Sequence, residues 1–157
     1  MSRSARSHLA TFTYFHVCAK GNNSQELFLD EKDYLHYLSL IEKYRQKYKL
    51  LCFAYCLMTN HIHLLLLSSS IKILSKSMQG LHLAYVIYFN RRYKRSGHLF
   101  QDRFSSWVIK DQQHLHHTKD YIENNPVKAN LVINKENYRW SSASRDGSSV
   151  TSVPIIN

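Results

Sequence analysis

The sequence predicts an α+β fold of the ferredoxin-like kind, a βαββαβ antiparallel sheet with helices on one face, plus a C-terminal tyrosine-bearing helix. Four short runs rich in β-branched and aromatic residues are typical of strands. Two long segments with apolar residues at helical spacing lie between strands one and two and between strands three and four. A third helical segment follows the fourth strand. This order is that of the split βαβ arrangement.

The first half of the pattern lies in residues 11–67. Residues 11–20, TFTYFHVCAK, predict a strand that Gly21 ends. A helix is predicted from a cap near Asp30 to about residue 49, with Leu35, Leu38 and Ile41 at helical spacing. Residues 50–57 and 61–67 predict two further strands. The second of these, HIHLLLL, is so apolar that we expect it in the centre of the sheet.

The second half of the pattern begins with a predicted helix over residues 71–93. A fourth strand is expected at 100–109 and a third helix at 112–124, which Pro126 should stop. We expect one domain over residues 11–145, a loose basic N-terminus over 1–10 and a flexible tail over 146–157.

Composition favours a polyanionic partner. The 157 residues include 21 Lys and Arg against 11 acidic residues, which gives a net charge of +10. Nucleic acid is the first candidate and an anionic membrane surface the second. No apolar run is long enough for a membrane span, and the start of the chain does not resemble a signal peptide. The three cysteines are expected to be reduced core residues, so we predict a cytoplasmic protein without membrane partners.

His61 and His63 form the first candidate site. Residues two apart on a strand point to the same side, so both imidazoles can converge on one metal ion while Ile62 enters the core. Imidazole is a common metal ligand. The same spacing also fits two ordinary polar histidines on an open sheet face, and spacing alone does not separate these interpretations.

Tyr121 and Asn125 form the second candidate site. At positions i and i+4 of a helix they share one face, which would present a phenol and an amide together. A tyrosine phenol, with a pKa of about 10, needs a nearby cation to become a good nucleophile. Alternatively, Tyr121 is a helix-face aromatic and Asn125 ends a helix before Pro126.

A series of motifs in order makes the chain resemble the single-tyrosine HUH transposases, and among them the REP-associated tyrosine transposases. The resemblance covers about residues 11–145. Its blocks are KGNN at 20–23, AYCLMTNHIHLL at 54–65, YFNRRY at 88–93, SGHLFQDRF at 96–104, YIENNPVKA at 121–129 and WSS at 140–142.

The resemblance implies metal-dependent nicking and strand transfer on single-stranded DNA beside a hairpin. Tyr121 would attack a backbone phosphate to give a 5′-phosphotyrosine link. His61, His63 and Asn125 would hold Mg²⁺ or Mn²⁺. Such enzymes work as monomers or as homodimers, and the sequence leaves open whether the tyrosine helix acts on its own chain or on a partner.

Six basic side chains are candidates for DNA binding. They lie at the end of the second helix and in the segment that leads into the fourth strand: Arg91, Arg92, Lys94, Arg95, His98 and Arg103. A cluster of this kind would contact the phosphate backbone and supply affinity without reading sequence. A third histidine group, His114, His116 and His117, shows no partner spacing for a metal site.

Two other functions fit parts of the pattern. A non-catalytic single-stranded nucleic-acid-binding module on a ferredoxin-like sheet explains the charge and the tyrosines. It gives no reason for the two candidate sites to converge, so it predicts that they lie apart. A metal-free phosphoesterase with His61 and His63 as acid and base would work in chelator and would not need Tyr121.

Overall fold

A computed structural model describes residues 12–145, so the expectations for residues 1–10 and 146–157 lie outside the described residues. The strands are β1 (Thr13–Lys20), β2 (Leu51–Leu57), β3 (His61–Ser68) and β4 (Ser105–Val108). The helices are α1 (Glu31–Tyr48), α2 (Ile71–Arg92) and α3 (Gln112–Lys128). No helix in this part of the chain is both long and apolar enough to cross a membrane.

The four strands form one sheet in the order β2-β3-β1-β4. Every neighbouring pair is antiparallel. The ferredoxin-like arrangement predicted from the order of the segments is therefore confirmed, with β3 in the interior of the sheet. All three cysteines are buried and unpaired, as expected of reduced core residues.

The two faces of the sheet carry different layers. Phe15 and Val17 of β1 and Ile62 of β3 enter a large core together with apolar residues of α1 and α2. A smaller core on the opposite face contains Leu115 and Ile122 of α3. The helices α1 and α2 thus cover one face, and the tyrosine-bearing α3 packs on the other, beside the outward-facing side chains of β1 and β3.

Two predicted boundaries were wrong. β4 has four residues instead of the ten predicted over 100–109, because the chain first crosses the end of β1, where the Gln101 amide donates to the Lys20 carbonyl at 2.9 Å. Pro126 does not stop α3, which continues to Lys128. A proline in the last turn removes only its own amide donor, and the bond from Ala129 N to Asn125 O at 3.0 Å is still made.

The buried face of α1 is rotated from the apolar stripe that was predicted on the first helix. Leu35 is 43% exposed, whereas Tyr34 and Tyr37 are buried in the core beside Leu38. Tyrosine can fill a core where its hydroxyl finds a partner. The Tyr37 hydroxyl has one in His82 Nε2 at 3.0 Å.

Asp33 organises the junction between α1 and the end of α2. Its carboxylate has no exposed surface. It accepts hydrogen bonds from the Leu29 amide, the Tyr88 and Tyr93 hydroxyls, and Arg92, the last at 2.6 Å. Arg92 also pairs with Asp30, which caps the N-terminus of α1. This network ties α2 to α1.

We expect Asp33→Ala to lower the free energy of unfolding by about 3–5 kcal/mol, because it leaves several buried donors without an acceptor. Urea denaturation followed by circular dichroism measures this change. Asp102→Ala is the matched control, since Asp102 is exposed, and its effect should stay within about 0.5 kcal/mol. Equal effects of the two substitutions would contradict a structural role for Asp33.

Candidate active site

His61 and His63 project from β3 on the face that α3 covers. Their ring centroids are 5.2 Å apart and the rings are nearly perpendicular, at 89°. His63 is buried, with 6% of its surface exposed, and His61 is half-buried. Ile62 between them lies in the opposite core, as the alternation along a strand requires.

Each imidazole has a partner at its Nδ1 atom. His61 Nδ1 lies 2.8 Å from the Asn60 side-chain oxygen, so this nitrogen carries the proton and donates. His63 Nδ1 lies 3.0 Å from His16 Nε2 on the neighbouring strand. With Nδ1 occupied in both rings, Nε2 is the nitrogen available to a ligand. Such contacts fix the orientation and tautomer of histidines that bind metals.

The surroundings hold these histidines in their neutral form. Burial, together with smaller effects of the nearby His16, His61 and Lys20, lowers the pKa of His63 to about 3. Burial also lowers the pKa of His61 and of His16. Neutral imidazole is the form that coordinates metal ions, so little proton competition is expected at neutral pH.

Tyr121 and Asn125 approach the histidines from α3. Asp111 caps the N-terminus of this helix, where its side chain accepts from the His114 amide, and the buried Ile122 anchors the helix on the sheet. The Tyr121 ring lies 5.7 Å from that of His63 and remains 47% exposed. Asn125 donates to the Tyr121 carbonyl at 3.0 Å, and its side chain lies close enough to His61 to raise the pKa of that imidazole against the effect of burial.

The four residues singled out in the sequence therefore meet at one cavity of about 800 Å³, between the sheet and α3. The cavity is also lined by His16, Trp107 and Lys20, which were not predicted as site residues from the sequence. His16 and Lys20 share their face of β1 with Cys18, which pairs with His63 in the register. The alternation in TYFHVCAK indicates that His16 and Lys20 share a face of β1. Only the register of β1 with β3 shows that this face lies beside His63.

The donor set fits a metal ion only if an amide takes part. Within residues 12–145, no group of three or more His, Cys, Asp or Glu side chains is arranged to hold a metal. Two neutral imidazoles with Asn125 beside them leave open positions for oxygen ligands, which suits Mg²⁺ or Mn²⁺ better than a closed zinc site. Of the third histidine group, His114 accepts from the Lys110 amide and His117 lines the cavity.

A buried acid fixes α3 to the rest of its own chain. Glu123 is 3% exposed and pairs with Lys119 and Lys135. It also accepts from the Ser142 hydroxyl at 2.8 Å, and the Ser142 amide donates to the Tyr55 carbonyl on β2. Residues 129–145, the C-terminal segment, thus link the helix that carries Tyr121 to the sheet that carries His61 and His63.

The basic candidates lie in different surroundings. Arg91 and Lys94 are exposed at the end of α2, whereas Arg92 pairs with Asp30 and Asp33. The Arg95 guanidinium lies 5.3 Å from the centre of the Phe89 ring. The other two, His98 and Arg103, line a second cavity beside α2.

Comparison with known proteins places this arrangement in a family. The family model described as IS200-like transposase matches residues 10–125. No curated protein sequence matches the chain. The fold is similar to that of a solved structure described as a REP-associated tyrosine transposase bound to a REP hairpin, with 19% identity and a TM-score of 0.68 over 83% of this chain and 76% of that one. Since the family model spans most of the chain, including the histidines of β3 and Tyr121, the chain belongs to the IS200-like transposase family.

Proposed function

We propose that this transposase nicks single-stranded DNA beside a hairpin and transfers the strand through a covalent link to Tyr121. The observation that carries the proposal is the 5.7 Å separation of the Tyr121 and His63 rings within one chain. A non-catalytic module predicted that the candidate residues would lie apart, so their convergence favours the enzyme.

The proposed step is a phosphoryl transfer. A bond forms between Tyr121 Oη and the phosphorus of a backbone phosphate, and the bond from phosphorus to O3′ of the preceding nucleotide breaks. The proton lost by the phenol is balanced by the one gained at O3′, so the products are a 5′-phosphotyrosine and a 3′-hydroxyl. Attack by the free 3′-hydroxyl of another strand reverses the chemistry and joins the two strands.

A divalent metal would be held by His61, His63 and Asn125, and it would supply positive charge to the reacting phosphate. The residues of the chain provide the positioning. Asn125 donates to the Tyr121 carbonyl and lines the same cavity as His61. Lys128 Nζ lies 5.8 Å from the centre of the Tyr121 ring and adds positive charge on that side.

For DNA binding we propose the six basic candidates, with unequal contributions. Arg91 and Lys94 are exposed and suited to phosphate contacts. Arg92 already binds two carboxylates, so we expect it to act mainly in the fold. The solved relative was bound to a REP hairpin. A hairpin with single-stranded flanks is therefore the DNA we propose here.

Incubation with end-labelled hairpin DNA tests the proposal. In Mn²⁺ or Mg²⁺ we expect a covalent protein–DNA band that survives denaturing electrophoresis and is lost in chelator. Hydrolysis that continues in chelator without an adduct would instead support the metal-free phosphoesterase. Binding without any adduct or cleavage across varied hairpins would support the non-catalytic module.

We further propose that Tyr121 acts on its own chain, because Glu123 and the C-terminal segment link α3 to the sheet. A mixture of Tyr121→Phe and His63→Ala proteins tests this. Neither protein has a complete site in cis, so we expect no adduct above that of each protein alone. Adduct formation restored by mixing would show that α3 reaches the histidines of a second copy.

His16 is proposed to position His63 through the contact at Nδ1. We expect His16→Phe to weaken Mn²⁺ binding by about 10- to 100-fold, with adduct formation recovered at high Mn²⁺. Calorimetric titration with Mn²⁺ measures the affinity. Cys18→Ala is the control on the same face of β1, and an unchanged affinity in His16→Phe would remove this role.

A further inference from the structure

A second cavity, of about 610 Å³, lies between α2 and the segment that leads into β4. We propose that it binds one unpaired nucleobase of the DNA strand whose backbone crosses the catalytic cavity. The inference rests on the proposed function, because that function supplies the single-stranded DNA. The cavity itself is separate from the histidine site. Its volume lies within the range of small-molecule sites, roughly 300–1,000 Å³.

The two cavities adjoin at the β4 edge of the sheet. Gln101 lines both of them. In β4, Trp107 pairs with His16 and lines the catalytic cavity, whereas its neighbour Ser106 lines the second one. A strand that passes around this short edge can therefore place a phosphate near Tyr121 and a nearby base in the second cavity.

Flat aromatic surfaces form part of the cavity wall. The Phe100 ring stacks on His82, with centroids 4.1 Å apart and planes 18° from parallel. His82 is fixed by its hydrogen bond with Tyr37, and burial lowers its pKa to about 3, so its ring is uncharged at neutral pH. Phe104, half-buried, adds another ring to the lining. Aromatic rings bind bases by stacking with little regard to sequence.

Polar groups at the same cavity match the edges and the charge of a nucleotide. Arg103 and His98 are exposed basic side chains in the lining, and Gln79 and Ser75 offer hydrogen-bonding groups from α2. Asp102 is the one acidic residue among the lining residues that the structure describes. Arginine can contact a base face or a phosphate, so this mixture favours a nucleotide over a purely apolar ligand.

The segment that closes the cavity is held in place by hydrogen bonds. Gln25 donates to the His98 and Leu99 carbonyls at 3.2 and 3.0 Å. Asn90 donates to the carbonyl of Gly97, where a φ of 89° suits glycine. Because these bonds lie within the protein itself, they hold the cavity wall in place, which keeps the ordering cost on binding small.

Fluorescence anisotropy without metal tests the inference, since no chemistry is then needed. The probes are a labelled strand of about 16 thymidines and an abasic strand of the same length. We expect Phe104→Ala to weaken binding of the thymidine strand about five- to a hundredfold. Binding of the abasic strand should change no more than it does in the matched control, Phe12→Ala, which alters an exposed aromatic side chain outside the cavity.

Equal loss on both strands, or no loss on either, would overturn the inference. Because Phe104 packs against the core, a second measurement uses the unaltered protein. A strand carrying 5-iodouracil should cross-link on irradiation to the segment 98–106. Cross-links confined to Trp107 and α3 would also overturn it. Adduct formation at Tyr121 is measured separately, so the nicking proposal and the base site can fail independently.

Discussion

Tyr121→Phe is expected to reduce covalent adduct formation at least about a thousandfold, because it removes the attacking oxygen and nothing else. The phenyl ring keeps its place beside His63 and His16, so binding of hairpin DNA should persist. Among the described residues that line the catalytic cavity, Tyr121 is the only tyrosine. Adduct yield on denaturing gels and affinity by anisotropy measure the two effects separately.

Other tyrosines are poorly placed to substitute for Tyr121. Tyr37 and Tyr85 are fully buried, and their hydroxyls contact His82 and the Leu27 carbonyl. Tyr14 lies on the same face of β1 as His16 and packs on Phe53, which makes Tyr14→Phe the matched control. An adduct that survives in Tyr121→Phe and disappears in Tyr14→Phe would move the nucleophile to β1.

Local pattern was enough to predict the parts of the site that depend on one element. The alternation of a strand puts His61 and His63 on one face whatever the rest of the chain does. The helical repeat likewise puts Tyr121 and Asn125 on one face. These two faces meet because α3 packs on the sheet. The sequence indicated this packing only through the resemblance of its ordered motifs to a known family, since the local patterns do not determine it.

Features that depend on contacts between distant residues were not predictable from the sequence. The role proposed for His16 depends on the pairing of β1 with β3, which joins positions 47 residues apart. The ion pairs of Arg92 with Asp30 and Asp33 span 62 and 59 residues, so the basic run at the end of α2 gave no sign that one member is occupied. The short β4 has the same origin, since the chain is diverted across the end of β1 before it joins the sheet.

His61→Ala and His63→Ala are each expected to remove metal-dependent adduct formation and to abolish measurable Mn²⁺ binding, because one imidazole with an amide is too weak a ligand set. His117→Ala is the control, since His117 lines the same cavity without belonging to the pair on β3. It should retain Mn²⁺ binding and most of the activity. Calorimetric titration with Mn²⁺ and adduct yield are the two measurements.

Substitutions of Asn125, the third proposed metal ligand, extend the Mn²⁺ titration and the adduct assay. Asn125→Leu is expected to behave like the histidine variants, whereas Asn125→Gln keeps an amide oxygen and should retain partial binding and activity. If Asn125→Leu bound Mn²⁺ normally but formed no adduct, the amide would act on Tyr121, whose carbonyl it contacts, instead of on the metal. Retained Mn²⁺ binding in both histidine variants would contradict the β3 metal site itself, because no other group of described His, Cys, Asp and Glu side chains is arranged to replace it.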